Sequence, residues 1–546
     1  MTFGPIPIIV AVSGHRDLVD GELSAIRQAL RGEFSSLRKR YPHSRLQIFN
    51  GLAEGADWLA AEIALECQLE LVAVLPLPQT EYEKDFSTPE ALERFRLLLS
   101  KASRIQEAPF NQAYAGSSTR DWHYEALGIY LAQNAQRLYA LWDGNTIAPL
   151  PGGTADVVQK SLHGITSEDN LLAEPETCQV RHLCCNRKKN PDAYSSQNAT
   201  QWRPHIDVAA DDYWDEIFHS IDDFNKAAIK IDGANCREVA QSRKWLVGGD
   251  SYPPVIEIDL QAHAFADALA RTKQKRRHRM LWFLSLLIFL SVFFQQVHLG
   301  PDMQWYWLAM HIGLGLSAFG GYLLFFSGTH NSETQYMDWR ALAEGLRVQT
   351  FWRAAGIQES ASNYYLSSQR DELNWIRYAM RNVAATSTAF NPSMNLSWIK
   401  ERWLKDQEEF FLKTAPTKQA RRKQWAWISQ SLFGIGAITT AALLVSPLLN
   451  LAPTISSWSA LAAAVIFLMA AVCRNYASLM AYEEDANRYK KMGVLFGRTV
   501  QLLEQYEKTN EVIASRKLVL AVGKEALAEN GEWLLLHRQR KFEIPT

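Results

Sequence analysis

Residues 281–297 read LWFLSLLIFLSVFFQQV and residues 305–326 read WYWLAMHIGLGLSAFGGYLLFF, and neither stretch contains Asp, Glu, Lys or Arg. As helices that rise about 1.5 Å per residue, both are about long enough to cross the roughly 30 Å hydrocarbon core of a bilayer. Two further uncharged apolar stretches follow at residues 425–448 and 455–473. The sequence therefore predicts four membrane-spanning helices in two pairs, with lipid as a partner.

Basic residues precede the first and the third predicted span. Residues 273–279 read KQKRRHR and residues 418–423 read KQARRK, whereas the turns after those two spans contain no Lys or Arg. Because cytosolic loops of membrane proteins carry an excess of Lys and Arg, these runs are expected on the cytosolic side. We therefore expect a multi-pass protein of the cell inner membrane with both termini cytoplasmic.

Charged helical segments flank the predicted spans at about residues 259–280, 330–422 and 474–540. A basic run, two spans and a charged amphipathic helix occur in that order twice, and such duplication is common in membrane proteins. The apolar faces of these helices can pack against a second copy of the chain. Residues 259–546 are predicted to form an all-α, four-helix transmembrane domain with cytosolic helical extensions, in a homo-oligomer.

The N-terminal half alternates short apolar runs with segments of helical periodicity. The apolar runs lie at residues 8–13, 46–49, 69–75 and 137–142. Strands that alternate with helices indicate a parallel sheet in a three-layer α/β domain. We predict a Rossmann-like domain over residues 1–258, with its core at about 5–160 and an elaboration at 161–258.

Three glycine-containing loops follow predicted strands: SGHRD at residues 13–17, NGLAEGAD at 50–57 and PGGTAD at 151–156. One glycine-rich turn is more often structural than functional. Three of them at the carboxyl edge of a parallel sheet favour a pocket whose helix N-termini can hold phosphate. We predict a nucleotide-binding site formed by Ser13, Gly14, His15, Arg16, Asp17, Gly51, Glu54, Gly55, Asp57, Gly152, Gly153 and Thr154.

Within this site, His15 and Arg16 supply donors and positive charge for phosphate oxygens, while Glu54 and Asp57 can accept from ribose hydroxyls. The six cysteines of the chain show neither a C-x-x-C pair nor zinc-ligand spacing, so no metal and no disulfide framework is expected. The formal charge of −1 gives no indication of nucleic acid, which we do not expect as a partner. A nucleotide-derived ligand is the one small molecule predicted.

These motifs carry a family resemblance. The segments VSGHRD, GLAEGADWLAAEIA, LPLPQTEYEKDF, LYALWDG and GGTADVV occur in this order within about residues 5–160. They resemble the SLOG superfamily of Rossmann-like nucleotide-binding domains, which is related to the lonely-guy phosphoribohydrolases and to the N-terminal domain of melastatin-type ion channels. The segments YMDWRALAEGLRVQTFW and ALAENGEWLLLHR are similar to the SLATT family of membrane effectors.

The resemblance implies a function. SLATT effectors accompany SLOG sensors in bacterial conflict systems, so it implies a membrane effector that senses a nucleotide-derived second messenger, gates or assembles a pore, and serves antiphage defence through abortive infection. It also implies a messenger-producing enzyme encoded nearby. SLATT proteins typically have two spans per unit, whereas this chain has two such units.

One departure from the resemblance concerns enzymatic activity. Lonely-guy hydrolases carry P-G-G-x-G-T followed by glutamate, whereas residues 151–156, PGGTAD, lack the glycine that follows the variable position and the glutamate. A shorter carboxylate at Asp156 is a poor substitute in a site that must position a base and water. Binding without turnover is therefore favoured. Two alternatives stay open: a membrane-tethered nucleotide N-glycosidase using Glu54, Asp57 or Asp156, and a constitutive channel or scaffold with a vestigial pocket.

Overall fold

The structure is a computed structural model that describes residues 3–109, 120–145, 150–165, 177–191, 200–203, 210–249, 251–298, 305–326, 332–365, 373–387, 395–445 and 453–539. Some predicted segments lie partly outside the described residues. These parts are residues 110–119 and 146–149 of the predicted core, residues 166–176, 192–199, 204–209 and 250 of the predicted elaboration, residues 446–448 of the third predicted span, and residues 330–331, 366–372, 388–394 and 540 of the predicted cytosolic helices.

The fold divides into two compact units, each made of several chain segments. Unit 1 comprises Met1–Gln241, Pro254–Phe265 and Glu359–Asn391, and unit 2 comprises Ser242–Pro253, Ala266–Gln358 and Pro392–Thr546. The sequence suggested a single boundary near residue 258. The structure differs in that Glu359–Asn391, between the two predicted pairs of spans, belongs to the N-terminal unit.

A seven-stranded sheet forms the centre of unit 1, with the strand order β4-β3-β2-β1-β5-β6-β7. Strands β1 to β6 are parallel, as predicted, and β7 is antiparallel to β6. The strands are β1 Ile8–Gly14, β2 Leu46–Asn50, β3 Glu70–Leu75, β4 Arg104–Glu107, β5 Arg137–Trp142, β6 Gln179–Cys184 and β7 Thr200–Arg203.

The central strands are buried on both faces, which explains why they read as continuous apolar runs. In β1, every residue from Ile8 to Val12 has no exposed surface. Helices on both sides of a parallel sheet produce this pattern. The helices of unit 1 are α1 Leu23–Arg40, α2 Ala56–Glu66, α3 Gln79–Tyr82, α4 Pro89–Lys101, α5 Arg120–Asn134, α6 Thr154–His163 and α11 Asn374–Thr386. Two long helices, α7 Ala210–Val247 and α8 Glu257–His298, contribute residues to both units.

Within its described residues, unit 2 is helical. Besides its parts of α7 and α8 it contains α9 Trp305–Phe326, α10 Ser332–Ala354, α12 Leu396–Ile399, α13 Asp406–Val445, α14 Pro453–Leu479, α15 Tyr482–Thr509 and α16 Val512–Gln539. The predicted α-helical character of the C-terminal half is therefore confirmed.

Two helical stretches of the described residues, Leu396–Val445 and Ser459–Thr509, are long and apolar enough to cross a membrane. They include residues 425–445 of the third predicted span and residues 459–473 of the fourth. In α8, a shorter apolar stretch covers Trp282–Gln295, and α9 coincides with the second predicted span. Length and composition thus identify two helices that can span a membrane.

Candidate functional site

The predicted loops lie where the strand order of unit 1 changes direction. From β1 the chain continues through β2, β3 and β4 on one side, whereas β5, β6 and β7 lie on the other side of β1. In open parallel sheets, such a switch point leaves a crevice beyond the carboxyl ends of the two strands. Here those strands are β1 and β5, which pair directly.

Backbone hydrogen bonds join the first loop to β5 and to the second loop. The amide of His15 donates to the carbonyl of Leu141 at 3.0 Å, and the amide of Ala56 donates to the carbonyl of His15 at 3.0 Å. Gly14 is required by this approach, because a Cβ atom there would lie 2.4 Å from the Cβ of Ala56. Gly55 has φ +84, and its Cβ would lie 2.3 Å from the carbonyl oxygen of Arg16.

Buried side chains shape the second loop from within. The side chain of Asn50 accepts from the amide of Leu52 at 2.7 Å and donates to the carbonyl of Asp57 at 2.9 Å. The hydroxyl of Tyr82 donates to the carbonyl of Gly51 at 3.1 Å. These contacts fix the turn that leads into the N-terminus of α2, so the loop is preorganised.

Asp57 is a buried carboxyl group at this edge of the sheet, with 8% of its surface exposed. Burial raises the pKa of Asp57 to about 7, against the opposing effects of backbone hydrogen bonds from Ala53 and Gly14 and the charge of Arg16. The Ala53 amide lies 3.4 Å from the carboxylate. Asp57 therefore changes charge near neutral pH, which a group that exchanges protons with a ligand requires.

His15 is held against the residue that follows β5. Its Nε2 atom accepts from the amide of Asp143 at 3.0 Å and lies 3.1 Å from the carboxylate of the same residue. Burial lowers the pKa of His15, and this outweighs the raising effect of Asp143. The imidazole is neutral near pH 7, so His15 joins the loops after β1 and β5 without adding a charge.

Arg16 is the exposed cation of the site, and its guanidinium carbon lies 5.4 Å from the ring centroid of Tyr124 in α5. The Tyr124 hydroxyl is hydrogen-bonded to Asp85, and burial raises its pKa to about 12. Gly152 of the third loop has φ +73 and would place a Cβ 2.4 Å from the Tyr124 carbonyl carbon. Tyr124 therefore links the first loop to the third.

Asp156, the acidic residue of the third loop, forms its contacts within the protein. The amide of Gly152 donates to Asp156 at 2.8 Å, and Lys160 lies 2.6 Å from the same carboxylate. Gly153 is the N-cap of α6, and Thr154 is the first residue of that helix. Asp156 thus stabilises the loop and leaves the α6 N-terminus at the edge of the site.

Three further predicted residues are Asp17, Ser13 and Glu54. Asp17 forms an ion pair with Arg187 at 2.8 Å. Ser13 lies in β1, in register with Ala140 of β5. Glu54 is half-buried next to Gly55. The remaining nine predicted positions lie in the three loops or at the adjoining ends of β1, α2 and α6, around the β1–β5 switch point.

Several residues of the site were not predicted: Asn50, Tyr82, Tyr124 and Asp143. A sequence signal existed for Asp143, which directly follows an apolar strand run, and for Asn50, which begins the second loop. Tyr82 and Tyr124 reach the loops from helices, so no local pattern marks them. No cluster of metal-ligating side chains occurs among the residues that the structure describes.

No family profile and no curated protein sequence matches the chain. A solved structure that does match is DNA processing protein A (DprA) from Streptococcus pneumoniae, with 20% sequence identity and a TM-score of 0.17. The match covers 25% of this chain and 41% of DprA, so the chain spans less than half of that protein's length. At this TM-score the likeness assigns neither a fold nor a function.

Proposed function

We propose that this protein is a ligand-gated membrane effector. Unit 1 binds a nucleotide-derived second messenger at the β1–β5 switch point, and unit 2 forms a pore in the inner membrane as a homo-oligomer. The observation that carries the proposal is the occurrence, in one chain, of three convergent glycine loops and of exposed apolar helices.

Exposure supports the membrane half of the proposal. In the most apolar parts of Leu396–Val445 and Ser459–Thr509, only 6% and 11% of the residues are buried. The core helix of a soluble protein would be mostly buried instead. Contiguous apolar surface of this kind marks an interface with lipid or with other chains. Exposed large side chains of α13 include Trp427, Phe433, Ile438 and Leu444.

The contacts between α8 and α9 support a first pair of spans. The Ser291 hydroxyl lies 3.0 Å from Nδ1 of His311 and donates to the His311 carbonyl at 2.9 Å. A Cβ atom at Gly321 would lie 3.0 Å from the Leu284 side chain. Small residues and interhelical hydrogen bonds are what hold helices together in lipid. Four spans with cytoplasmic termini are part of the proposal.

A phosphate-bearing ligand suits the chemistry of the switch point. Arg16 offers an exposed guanidinium, whose fork of N–H donors matches phosphate oxygens. The N-termini of α2 and α6 begin at the second and the third loop, and such termini favour negative charge. The exposed part of the Tyr124 ring offers a flat surface next to Arg16 for stacking a base.

The contacts of Asp156 favour binding over turnover. Its carboxylate is occupied by Lys160 and by the Gly152 amide, so it is not available as a general base. One observation favours the alternative, a tethered N-glycosidase: Asp57, with its pKa raised to about 7 by burial, could hold a proton for a leaving base. The two functions differ in whether the bound ligand stays intact or is hydrolysed.

The setting we propose is bacterial antiphage defence, by analogy with the SLOG and SLATT resemblance alone. A messenger made during infection would bind unit 1 and open the pore. Such a ligand must have a higher affinity for the open state than for the closed state. Unit 1 contains Glu359–Asn391, which lies in the sequence between the two predicted span pairs, so ligand binding could be transmitted through that segment.

The test uses the full chain, because a fragment ending near residue 258 would lack Glu359–Asn391 of unit 1. Protein purified in detergent is reconstituted into dye-loaded liposomes and exposed to a panel of cyclic nucleotides and ADP-ribose nucleotides. We expect dye release with one ligand class and recovery of that ligand intact. Release of free base with turnover would favour the glycosidase, and ligand-independent release that Arg16→Gln leaves unchanged would favour a constitutive channel.

A further inference from the structure

A cavity lies in unit 2, between α13, α14 and the start of α15. Its volume is about 350 Å³, which falls in the range of roughly 300–1,000 Å³ typical of small-molecule sites. Side chains that line it include Arg422, Trp425, Arg474, Tyr482, Glu483 and Glu484. No residue of the switch-point site contributes to it, so it is a separate candidate site.

The cavity lies where the apolar parts of both helices end. Arg422 belongs to the basic run before the third predicted span, and Arg474 directly follows the fourth. Just beyond, Ala481 has φ 46 and separates α14 from α15. If α13 and α14 cross a bilayer as proposed above, the cavity lies at the depth of the cytosolic headgroups, where Trp and Tyr rings are also favoured.

The charged side chains around the cavity are two arginines and two glutamates. Arg422 forms an ion pair with Glu483 at 2.9 Å, with 49% and 51% of the two side chains exposed. Among the residues that the structure describes, Arg474 forms no hydrogen bond and no ion pair. A guanidinium group in a cavity at a membrane surface is a strong candidate to bind phosphate, because its donors match phosphate oxygens.

Aromatic contacts hold the cavity wall in place. The ring of Trp425 lies 5.0 Å from that of Tyr476, which in turn lies 5.4 Å from the ring of Trp282. Tyr482 lies at the start of α15 and is buried, and Lys418 lies 5.6 Å from its ring centroid. A wall fixed in this way can select a ligand by shape and hydrogen bonding, beyond general attraction to the bilayer.

We propose that this cavity binds the headgroup of a phospholipid that carries a primary ammonium group. Arg474 binds the phosphate, Glu483 and Glu484 receive the ammonium, and the acyl chains lie along the apolar part of α13. Two arginines and two glutamates sum to no net charge, which matches a zwitterionic headgroup. An anionic headgroup would leave the carboxylates facing negative charge, and a quaternary ammonium has no N–H to donate to them.

The inference rests on the proposed membrane location, and lipid titration tests it. The full chain in a neutral detergent is titrated with short-chain phosphatidylethanolamine, phosphatidylglycerol or phosphatidylcholine, and bound lipid is counted by native mass spectrometry. We expect phosphatidylethanolamine to bind about tenfold more tightly than the other two lipids. Arg474→Gln should weaken that binding about tenfold, as expected for the loss of a charged hydrogen bond.

Matched variants distinguish lipid binding in this cavity from attraction of lipid to the surrounding basic residues. Lys423→Gln removes one charge from the same basic run without changing the cavity lining, so it should leave lipid affinity unchanged. Arg474→Lys keeps the charge, so it should retain more lipid than Arg474→Gln. Glu484→Gln should reduce the preference for phosphatidylethanolamine over phosphatidylcholine.

Each contrary result has a distinct meaning. Equal affinity for all three lipids, or equal losses in Arg474→Gln and Lys423→Gln, would overturn the headgroup site. Soluble phosphoethanolamine that binds as tightly as the lipid would assign the cavity to a free small molecule. A chain that stays in the supernatant when cell membranes are pelleted would refute the membrane location as well, whereas a pelleting chain without lipid preference refutes the headgroup site alone.

Discussion

The side-chain amide of Asn382 donates a hydrogen bond of 2.8 Å to the backbone carbonyl of Pro7, across 375 positions of the chain. The same amide donates to Gln136 at 3.0 Å, and Gln136 donates back at 2.6 Å. Gln136 also accepts from the amide of Ile9 at 3.0 Å. This buried network attaches α11 to the start of β1, the strand that ends at the candidate site.

We predict that Asn382→Ala weakens this attachment. The substitution leaves the Pro7 carbonyl and the Gln136 side chain buried without their partner, which should cost about 2–3 kcal/mol of stability. If α11 transmits ligand binding, the variant should also lose ligand-dependent dye release while remaining in the membrane. Thermal unfolding of the detergent-purified chain and the liposome assay measure the two effects.

Asn363→Ala is the matched control, because Asn363 is exposed and lies, like Asn382, in the segment Glu359–Asn391 of unit 1. It should change stability by less than about 0.5 kcal/mol, as surface substitutions usually do. Unchanged stability and unchanged dye release in Asn382→Ala would show that the network neither holds α11 nor carries the signal.

Backbone geometry at the second loop gives another prediction. Gly55→Ala places a methyl group 2.3 Å from the Arg16 carbonyl oxygen at φ +84, a conformation that alanine rarely adopts. We expect a loss of about 2 kcal/mol or more, from strain and displacement of the first loop. Chemical denaturation monitored by tryptophan fluorescence checks this.

Gly32→Ala serves as the control for the same chemical change. Gly32 lies within α1, and a Cβ atom there would meet no other atom within 4 Å. Alanine is the better helix former by about 0.5–1 kcal/mol, so this variant should be slightly more stable. A Gly55→Ala protein as stable as Gly32→Ala would mean that the first two loops do not approach as described.

Asp57 should make stability depend on pH. Its pKa is raised by burial to about 7, whereas an unfolded aspartate titrates near about 3.9. Between these values the folded protein keeps a proton that the unfolded chain releases, so this contribution to stability is complete below about pH 4 and is lost as pH rises through about 7. Asp57→Asn should remove that loss.

The measurement compares the free energy of unfolding of Asp57→Asn with that of the parent at pH 4 and pH 8. The difference should shift in favour of the variant by on the order of 2–4 kcal/mol over this range. Asp121→Asn, at an exposed position, is the control for the same chemical change. A pH-independent difference for Asp57→Asn would mean that folding does not raise the pKa of Asp57.

The strands and loops of the site could be predicted from the sequence, because apolar runs and glycines mark them locally. The apolar run of β1 is buried on both faces and ends at a glycine, which marks both the strand and the loop. The edge strand β4 has only four residues, Arg104–Glu107, with alternating partial exposure, so it carries no comparable signal. Local apolarity likewise identified α13 and α14 as long apolar helices.

Contacts between distant parts of the chain could not be predicted in this way. Nothing near Asn382 indicates that its partners are Pro7 and Gln136, because only the folded chain brings them together. The pairing of Asp17, a predicted ligand-binding residue, with Arg187 is another example. Glycine loops predict where a ligand can approach, whereas long-range pairs decide which side chains remain available to it.

Arg16, the exposed cation of the switch point, should contribute directly to ligand affinity. Arg16→Gln should weaken binding of the nucleotide that triggers dye release by about 10- to 100-fold, since charge-assisted hydrogen bonds contribute about 1.5–3 kcal/mol. Because Arg16 is exposed and its guanidinium lies over the face of Tyr124, the unfolding temperature without ligand should change little. Isothermal titration calorimetry of the full chain in detergent measures the affinity.

Two further variants make the Arg16 result specific. Arg16→Lys keeps the charge but loses the two-pronged donor geometry, so its affinity should lie between those of the parent and Arg16→Gln. Lys39→Gln removes an exposed cation from the end of α1 and should leave affinity unchanged. If Lys39→Gln weakens binding as much as Arg16→Gln does, the ligand responds to the overall charge of unit 1, and the β1–β5 switch point is not where its phosphate binds.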